Sequence, residues 1–264
     1  VTLRVVRALG LVTVQDLGRP GWMHQGLAAG GALVPGLLVA ANRAVGNPDG
    51  APALEVCGRL ELVATAGCVV ATPAPTALAA GQSLVVVSEP HRVVYLALAG
   101  GVDAPLVLGG RATQLSAGLG APIRAGAELT PLTGSVGGAA ATVLPASPGT
   151  GPVRVVPGPD RAAFAEDALA RLCATPYRLS PRSDRVGTRL IGPALPRRPG
   201  LVERPRPLVV GAIEVPGDGA PIVLGPEHPT TGGYPVIAVV CATDRDRFFS
   251  TRLGGVVHFT RVGA

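Results

Sequence analysis

Three loops of this sequence carry residue types that could do chemistry. The first is Thr230-Thr231-Gly232-Gly233-Tyr234-Pro235, with two hydroxyls, two glycines and a tyrosine set between apolar runs. Glycine permits close backbone approach and leaves N–H groups accessible, so such a loop suits an anion or a carbonyl oxygen. A tight hairpin with a buried tyrosine would use the same residues. The second loop is Ser183-Asp184-Arg185-Val186-Gly187-Thr188-Arg189-Leu190. One carboxylate among guanidinium groups could orient a polar group while arginine holds an anion, or it could close a structural ion-pair network. The third is Leu108-Gly109-Gly110-Arg111-Ala112-Thr113, where a glycine pair turns the chain beside an arginine, as in anion sites. No helix with dinucleotide-fingerprint spacing follows these glycines. In the turn-rich Gln15–Trp22 segment, Asp16 and Arg19 are spaced to pair locally or to face a ligand.

The elements that must position these loops read as short strands. Thr2–Val6 and Leu11–Val14 are strand-like and broken by Gly10; Leu60–Ala64, Cys68–Ala71, Ser83–Val87 and Val93–Ala99 follow. Further strands are expected at Val153–Val156, Tyr177–Leu179, around Val209 to Val215, at Ile222–Leu224, at Val236–Val240 and at Gly255–Phe259. Glu55 interrupts an apolar stretch and needs a partner if buried. Only two helices are clear. Pro35–Val45 starts on a proline suited to the first turn and stops before Gly46, with Asn42 near the polar edge of its apolar stripe and Val34 a poor cap. Arg161–Leu172 places Phe164, Ala168, Leu169 and Leu172 on one face, with Asp160 as cap. With 37 glycines and 27 prolines there is little room for long helices, so the fold is expected to be mainly β with a few short helices. The Gly/Ala/Pro/Ser-rich stretch divides the chain into residues 1–135, a linker at 136–151, and 152–264.

Bulk properties exclude several classes. At 47% hydrophobic and 15% charged residues the chain is globular. The net charge of +6 comes entirely from arginine and suits phosphate or carboxylate ligands or an acidic partner. With 3% aromatics and no basic–aromatic motif, nucleic acid is not an expected partner. Cys57, Cys68, Cys173 and Cys241 lack metal-ligand spacing and read as buried free thiols, and no metal is expected to bind. No long uninterrupted apolar run and no charged leader is present, so no membrane association and a cytoplasmic location are expected.

Seven motifs in order carry a resemblance over nearly the whole chain. They are Val14–Gly21, Ala41-Asn42 with Gly46-Asn47-Pro48, Leu54-Glu55, Ala99–Asp103, Leu108–Thr113, Ser183–Leu190 and Thr230–Pro235. The series resembles the family of 5-oxoprolinase C subunits, also called allophanate hydrolase subunit 2 or KipA, and is similar to part of the carboxyltransferase domain of urea amidolyase. The resemblance implies two cyclophilin-like β-barrel subdomains and a heteromer with a KipI-like B subunit, plus an A subunit. It implies an ATP-dependent amidohydrolase that opens 5-oxoproline to glutamate and does little as an isolated chain. ATP would be bound together with the partner subunits. The alternatives it carries are half of a biotin-dependent carboxyltransferase acting on urea or a related amide, and a non-catalytic regulator that binds a KipI-like kinase inhibitor.

By motif position the implied site comprises Asp184, Arg111 and Tyr234 as catalytic residues, with Asn42, Arg189, Thr231, Gly232 and Gly233 binding a small-molecule amide. Arg111 and Arg189 would clamp anionic oxygens. Asp184 would orient an amide N–H or the ureido edge of biotin, and Asn42 and Tyr234 would complete a pocket around the glycines. The chain departs from the family pattern at Gly30 and Val34 (usually Ser and Asp), Ala127 (Asp), Glu214 (Gln), and Glu227 and Pro229 (Asp and Gln). These departures leave the particular substrate open.

Overall fold

The structure is a computed structural model and describes residues 2–132, 149–200 and 203–263. Most of the predicted linker, 136–148, lies outside the described residues. Contacts divide the chain into two compact units, Val1–Arg19 with Gly30–Pro148, and Pro20–Ala29 with Gly149–Ala264. The second unit thus includes a short early segment that a division by sequence order assigns elsewhere. Both units are mainly β with barrel-like sheets, as the glycine and proline content predicts.

The first unit is organised around two long antiparallel strands, β1 (Leu3–Gln15) and β2 (Ala53–Ala64). It adds β3 (Cys68–Ala71), β4 (Pro75–Leu78), β5 (Ser83–Val87), β6 (Val94–Leu98) and β7 (Glu128–Leu129) in the order β4-β3-β6-β2-β1-β7. The first half of β2 pairs with β6 and its second half with β5, so one strand serves two edges. Gly10 does not break β1 as its sequence suggests. It sits opposite Gly58 at φ +87°, and a Cβ on Gly10 would lie 2.2 Å from the Cys57 carbonyl oxygen, so the glycine pair keeps the ladder running. A bulge between Val5 and Arg7 inserts one residue. The inward set therefore changes from Leu3 and Val5 to Val12 and Val14, all in one core with Leu54, Val56, Leu60 and Leu62.

Helix α1 (Pro35–Ala44) packs on β6. Val34 provides no side-chain cap. The helix entrance is instead tied down by Glu55, which accepts from the Leu33 N–H (2.8 Å) and the Tyr95 hydroxyl (2.5 Å), while that hydroxyl also accepts from the Val34 N–H (3.0 Å). Glu55 thereby has the partners its burial demands.

The second unit contains β8 (Val153–Pro157), α2 (Ala168–Ala174), β9 (Tyr177–Leu179), β10 (Gly187–Ile191), β11 (Arg206–Pro207), β12 (Ala212–Glu214), β13 (Ile222–Leu224), β14 (Thr231–Gly232), β15 (Val236–Val240), α3 (Arg245–Ser250), β16 (Val256–Val257) and β17 (Phe259–Arg261). The main sheet runs β16-β9-β10-β13-β12-β15-β8-β17. Its two end strands are neighbours in sequence with His258 alone between them, so the sheet must curl until its edges meet. The predicted single strand Gly255–Phe259 is thus two strands on different partners. All four phenylalanines of the chain are buried in this unit, with Phe248 packed on Phe249 and Phe259.

The predicted helix Arg161–Leu172 is a 3-10 turn at Arg161–Ala163 followed by the shorter α2. Phe164 is extended and bridged to Arg197, with the Arg198 N–H bonded to Ala163 O at 2.8 Å, so a β-type contact interrupts the helix. Asp160 does not cap it. Its Oδ2 accepts from the Val236 N–H (2.9 Å) and its Oδ1 pairs with Arg206 (2.7 Å).

Candidate functional site

Arg111 lines a cleft of about 690 Å³ in the first unit, with Arg19, Asp103 and Arg124 as its other charged walls and Val14, Val107 and Ile123 among its apolar ones. Ala127, one of the departures from the family pattern, lies on the same wall. Asp16 and Arg19 shape this cleft by reaching the 107–114 segment. Asp16 accepts from the Gly18 N–H (2.6 Å) and the Arg111 N–H (2.5 Å), which fixes the backbone from which Arg111 projects. Arg19, 1% exposed, donates to the carbonyls of Ala112 (2.6 Å) and Val107 (3.3 Å) and to Gln114 Oε1 (3.3 Å). It acts as a strut behind the loop. The Arg111 guanidinium donates to Ala104 O and stands 3.8 Å from Asp103, whose carboxylate is largely solvated. The side chain of Arg124 is exposed. A cleft with two partly available guanidinium groups over an apolar floor is chemically suited to a small carboxylate or phosphate.

Asn42 belongs elsewhere in this unit. It is fully buried rather than at the polar edge of α1, and its amide nitrogen donates to Ala51 O (2.8 Å) and Asp49 O (3.2 Å). Its oxygen accepts from Asn47 Nδ2 (3.0 Å), and Asn47 in turn bonds Leu98 O and the Gly100 N–H, each at 2.8 Å. The Asn42–Asn47 pair staples the end of α1 to the end of β6. The cleft around Arg111 is lined without it.

In the second unit the other candidates lie on the turn into β10, on β10 itself, and on β14 with the loop that follows it. Asp184 Oδ1 accepts from the N–H groups of Val186 (2.9 Å) and Gly187 (3.0 Å), which shapes the turn into β10. Arg185 turns inward and pairs at 2.5 Å with Glu227, both nearly buried. Arg189 is exposed, its N–H held by Ser183 Oγ at 3.0 Å. Thr231–Gly232 pairs with Arg206–Pro207, and Tyr234 is 44% exposed, so the loop is not a hairpin around a buried tyrosine.

The register adds a residue that motif reading passed over except as a departure. Arg189, Ile222 and Glu214 lie in one cross-strand row, on a shared face. Glu214 is 6% exposed, its Oε1 has no hydrogen-bond partner, and burial pushes its carboxyl up to about 7. An ideal Cβ built on Gly232 would stand 3.0 Å from that oxygen, so the Thr231–Tyr234 loop lies directly over the carboxyl. A carboxylate written into an otherwise apolar strand, Ala212 to Val215, was the available signal. Burial raises the thiols of Cys57, Cys68 and Cys173, which makes these three poor nucleophiles. Among the described residues no group of three or more His, Cys, Asp or Glu is placed to hold a metal ion. Among them, too, no helix is long and apolar enough to cross a membrane.

A family model for the carboxyltransferase domain, subdomains A and B, matches residues 25–261 of this chain. With most of its length matched, the chain belongs to that carboxyltransferase-domain family. Among individual relatives, the C subunit of Escherichia coli 5-oxoprolinase is 33% identical, covering 98% of this chain and 91% of that protein. The protein of the same name from Haemophilus influenzae is 29% identical over 95% of this chain and 88% of its own. A crystal structure of TTHA0988 superposes with a TM-score of 0.85 at 32% identity; it is matched over 98% of this chain but 55% of its own length, so this chain spans about half of it. The Kluyveromyces lactis urea carboxylase superposes with a TM-score of 0.87 at 23% identity over 99% of this chain and 27% of its own, a likeness of fold.

Proposed function

We propose that this chain is one component of a heteromeric, ATP-dependent 5-oxoprolinase that opens the ring of 5-oxoproline to glutamate together with a KipI-like B subunit, plus an A subunit. The observation that carries this reading is the match to the C subunit of Escherichia coli 5-oxoprolinase along nearly the full length of both chains. The chemistry is consistent with the groups available. Opening an unactivated lactam requires that the substrate carboxylate, or a phosphorylated intermediate made with ATP, be held while charge builds on the amide oxygen. Arg111 in its cleft supplies a positive group for an anionic oxygen. The second unit, taken by itself, offers Asp184, Arg189, Thr231, Gly232, Gly233 and Tyr234, polar groups and main-chain donors of the kind an amide needs.

Reconstitution with the A- and B-type partners is expected to give ATP-dependent release of glutamate from 5-oxoproline, with little from the isolated chain. Within that complex Arg111→Ala should lower kcat/KM by about tenfold or more, equivalent to ~1.4 kcal/mol of transition-state stabilisation. Wild-type rates in both Arg111→Ala and Asp184→Ala would remove these residues from the site. A second reading, transfer of a carboxyl group from biotin to an amide, is favoured by the family's carboxyltransferase description. Avidin-sensitive carboxylation in the reconstituted complex, without glutamate release, would select it. Tight assembly with the B-type partner, and no turnover of either kind, would select a regulatory role.

A further inference from the structure

We propose that a cavity of the second unit, bounded by the Arg161–Ala163 turn, α2 and the Arg198 segment, binds a free α-amino acid, with Arg161 and Arg198 taking its carboxylate and Glu166 its ammonium. The cavity measures about 460 Å³, within the range of small-molecule sites. Its charged lining residues are Arg161, Glu166 and Arg198. The others are apolar, with the nearly buried Phe164, Leu169 and Ile237 at the base. It forms around the break in the helical pattern of 161–172, where Phe164 turns aside to bridge Arg197.

Both arginines project from backbone that the fold holds in place. The segment leading into the turn is tied to β15. There the Gly158 N–H donates to Ile237 O (2.8 Å), the Asp160 N–H donates to Val236 O (3.2 Å), and Asp160 Oδ2 accepts from the Val236 N–H (2.9 Å). The Arg198 N–H donates to Ala163 O (2.8 Å), which joins the two arginine-bearing segments. Ile237 stands on the opposite face of β15 from Val236, whose side chain clusters with Leu208 under Gly232. The cavity is therefore separate from the Thr231–Tyr234 loop, and its ligand is a matter apart from the 5-oxoprolinase reaction.

The charges left over select the ligand. Around the cavity Asp160 pairs with Arg206 (2.7 Å), Asp167 with Arg171 (2.6 Å), and Glu203 with Arg197. The side chains of Arg161, Glu166 and Arg198 have neither a hydrogen bond nor an ion pair among the described residues, and all three are exposed. Each guanidinium is a fork of donors shaped for a carboxylate or a phosphate. A carboxylate in the same lining repels a polyanion and attracts an ammonium group. Two guanidinium groups, one carboxylate and an apolar base together match a zwitterion that carries an apolar side chain. An α-amino acid such as leucine is that molecule.

The test is an NMR titration of the isotopically labelled whole chain with L-leucine, glycine, 4-methylpentanoate, 3-methylbutylamine and inorganic phosphate. Of these, 4-methylpentanoate is leucine without its ammonium and 3-methylbutylamine is leucine without its carboxylate. Leucine is expected to give saturable shifts at the amides of Phe164, Leu169 and Arg198. Each truncated analogue should bind at least about tenfold more weakly, for want of one charged partner. Glycine should also bind more weakly, because it brings no apolar side chain to the base. Arg161→Gln and Arg198→Gln should each weaken leucine by about tenfold. Glu166→Gln should weaken leucine and leave 4-methylpentanoate unchanged or tighter, since that analogue has no ammonium to lose. None of the three side chains has a partner to forfeit, so the variants should keep the wild-type thermal midpoint. The inference is overturned by leucine binding no tighter than glycine or either truncated analogue, or by phosphate binding tighter than leucine. Shifts confined to other residues, affinity untouched by both arginine variants, or no binding of leucine overturns it as well. The comparison of ligands is made on the wild-type chain, so it stands whether or not a variant folds. Turnover of 5-oxoproline by the reconstituted complex bears on none of these outcomes.

Discussion

A carboxyl group kept away from water makes stability depend on pH even where no ligand is present. Glu214 ionises near 4.5 in an unfolded chain and at about 7 in the folded one, because burial disfavours its charge. Between those values the folded state binds more protons, so stability is full below pH 4.5, falls as pH rises to 7 and levels off above it. Glu214→Gln keeps the shape and removes the ionisation. It is expected to match the wild type below pH 4.5 and to exceed it above pH 7 by roughly 2–3 kcal/mol, read from denaturant unfolding across that range. A flat wild-type profile between pH 4.5 and 7 would show that the carboxyl is hydrated or paired. At this scale the sequence shows which residues are polar and not which are spoken for. Asp16, Arg19, Asn42 and Asp184 each look available on paper, and each is engaged by main-chain groups of the fold.

Elements depend on a few positions where backbone and neighbour cannot both be satisfied by an ordinary residue. Gly10 and Gly58 face each other across β1 and β2, both with positive φ, and a Cβ on Gly58 would lie 2.3 Å from the Leu9 carbonyl oxygen. Gly58→Ala is expected to destabilise the first unit by about 1–3 kcal/mol from backbone strain, with the clash added to it, and to lower the thermal midpoint accordingly. An unchanged midpoint would mean that the ladder relaxes around the methyl group. The two helices read from sequence fared differently for a physical reason. The ends of α1 are set locally by Pro35 and Gly46, whereas Arg161–Leu172 is cut by the bridge from Phe164 to Arg197. A contact between residues far apart in the chain outweighs a helical pattern that is correct in itself.

The whole molecule is two β units, and the second owes its curl to His258, which joins the two ends of one sheet. Asp244 ties α3 to β8 in that unit. The Arg154 side chain hydrogen-bonds it at 2.9 and 2.7 Å, the Arg154 N–H adds a bond at 2.7 Å, and Arg247 one at 3.3 Å. Hydrogen bonding from Arg154 foremost lowers this carboxyl from 3.8 to about 2. Its contribution is present above pH 3.8 and is lost as pH falls towards 2, worth about 2 kcal/mol. Asp244 and Glu214 thus act in opposite directions, the first losing its contribution as pH falls below 3.8 and the second as pH rises from 4.5 to 7. Asp244→Asn should remove the acid limb and lower stability at neutral pH by about that amount, checked by unfolding at pH 2, 4 and 7. An unaltered acid limb would assign it to other carboxylates.

Read alone, the sequence determined the mainly β character, most strand positions, the bounds of α1 and, through seven ordered motifs, the family. Those features are set by residue types within a few positions of each other, by side-chain period and by glycine and proline. The tertiary structure decided which polar groups are consumed and which are left over. It turned Asn42 into a staple and Arg19 into a strut, set Arg111 in a cleft, and left Glu214 Oε1 without a partner beneath Gly232. The reason is that a hydrogen bond needs donor and acceptor about 3 Å apart, and the partners of Arg19, and of Asn47 where it carries the Asn42 staple to β6, come from chain tens of residues away, which no local pattern records.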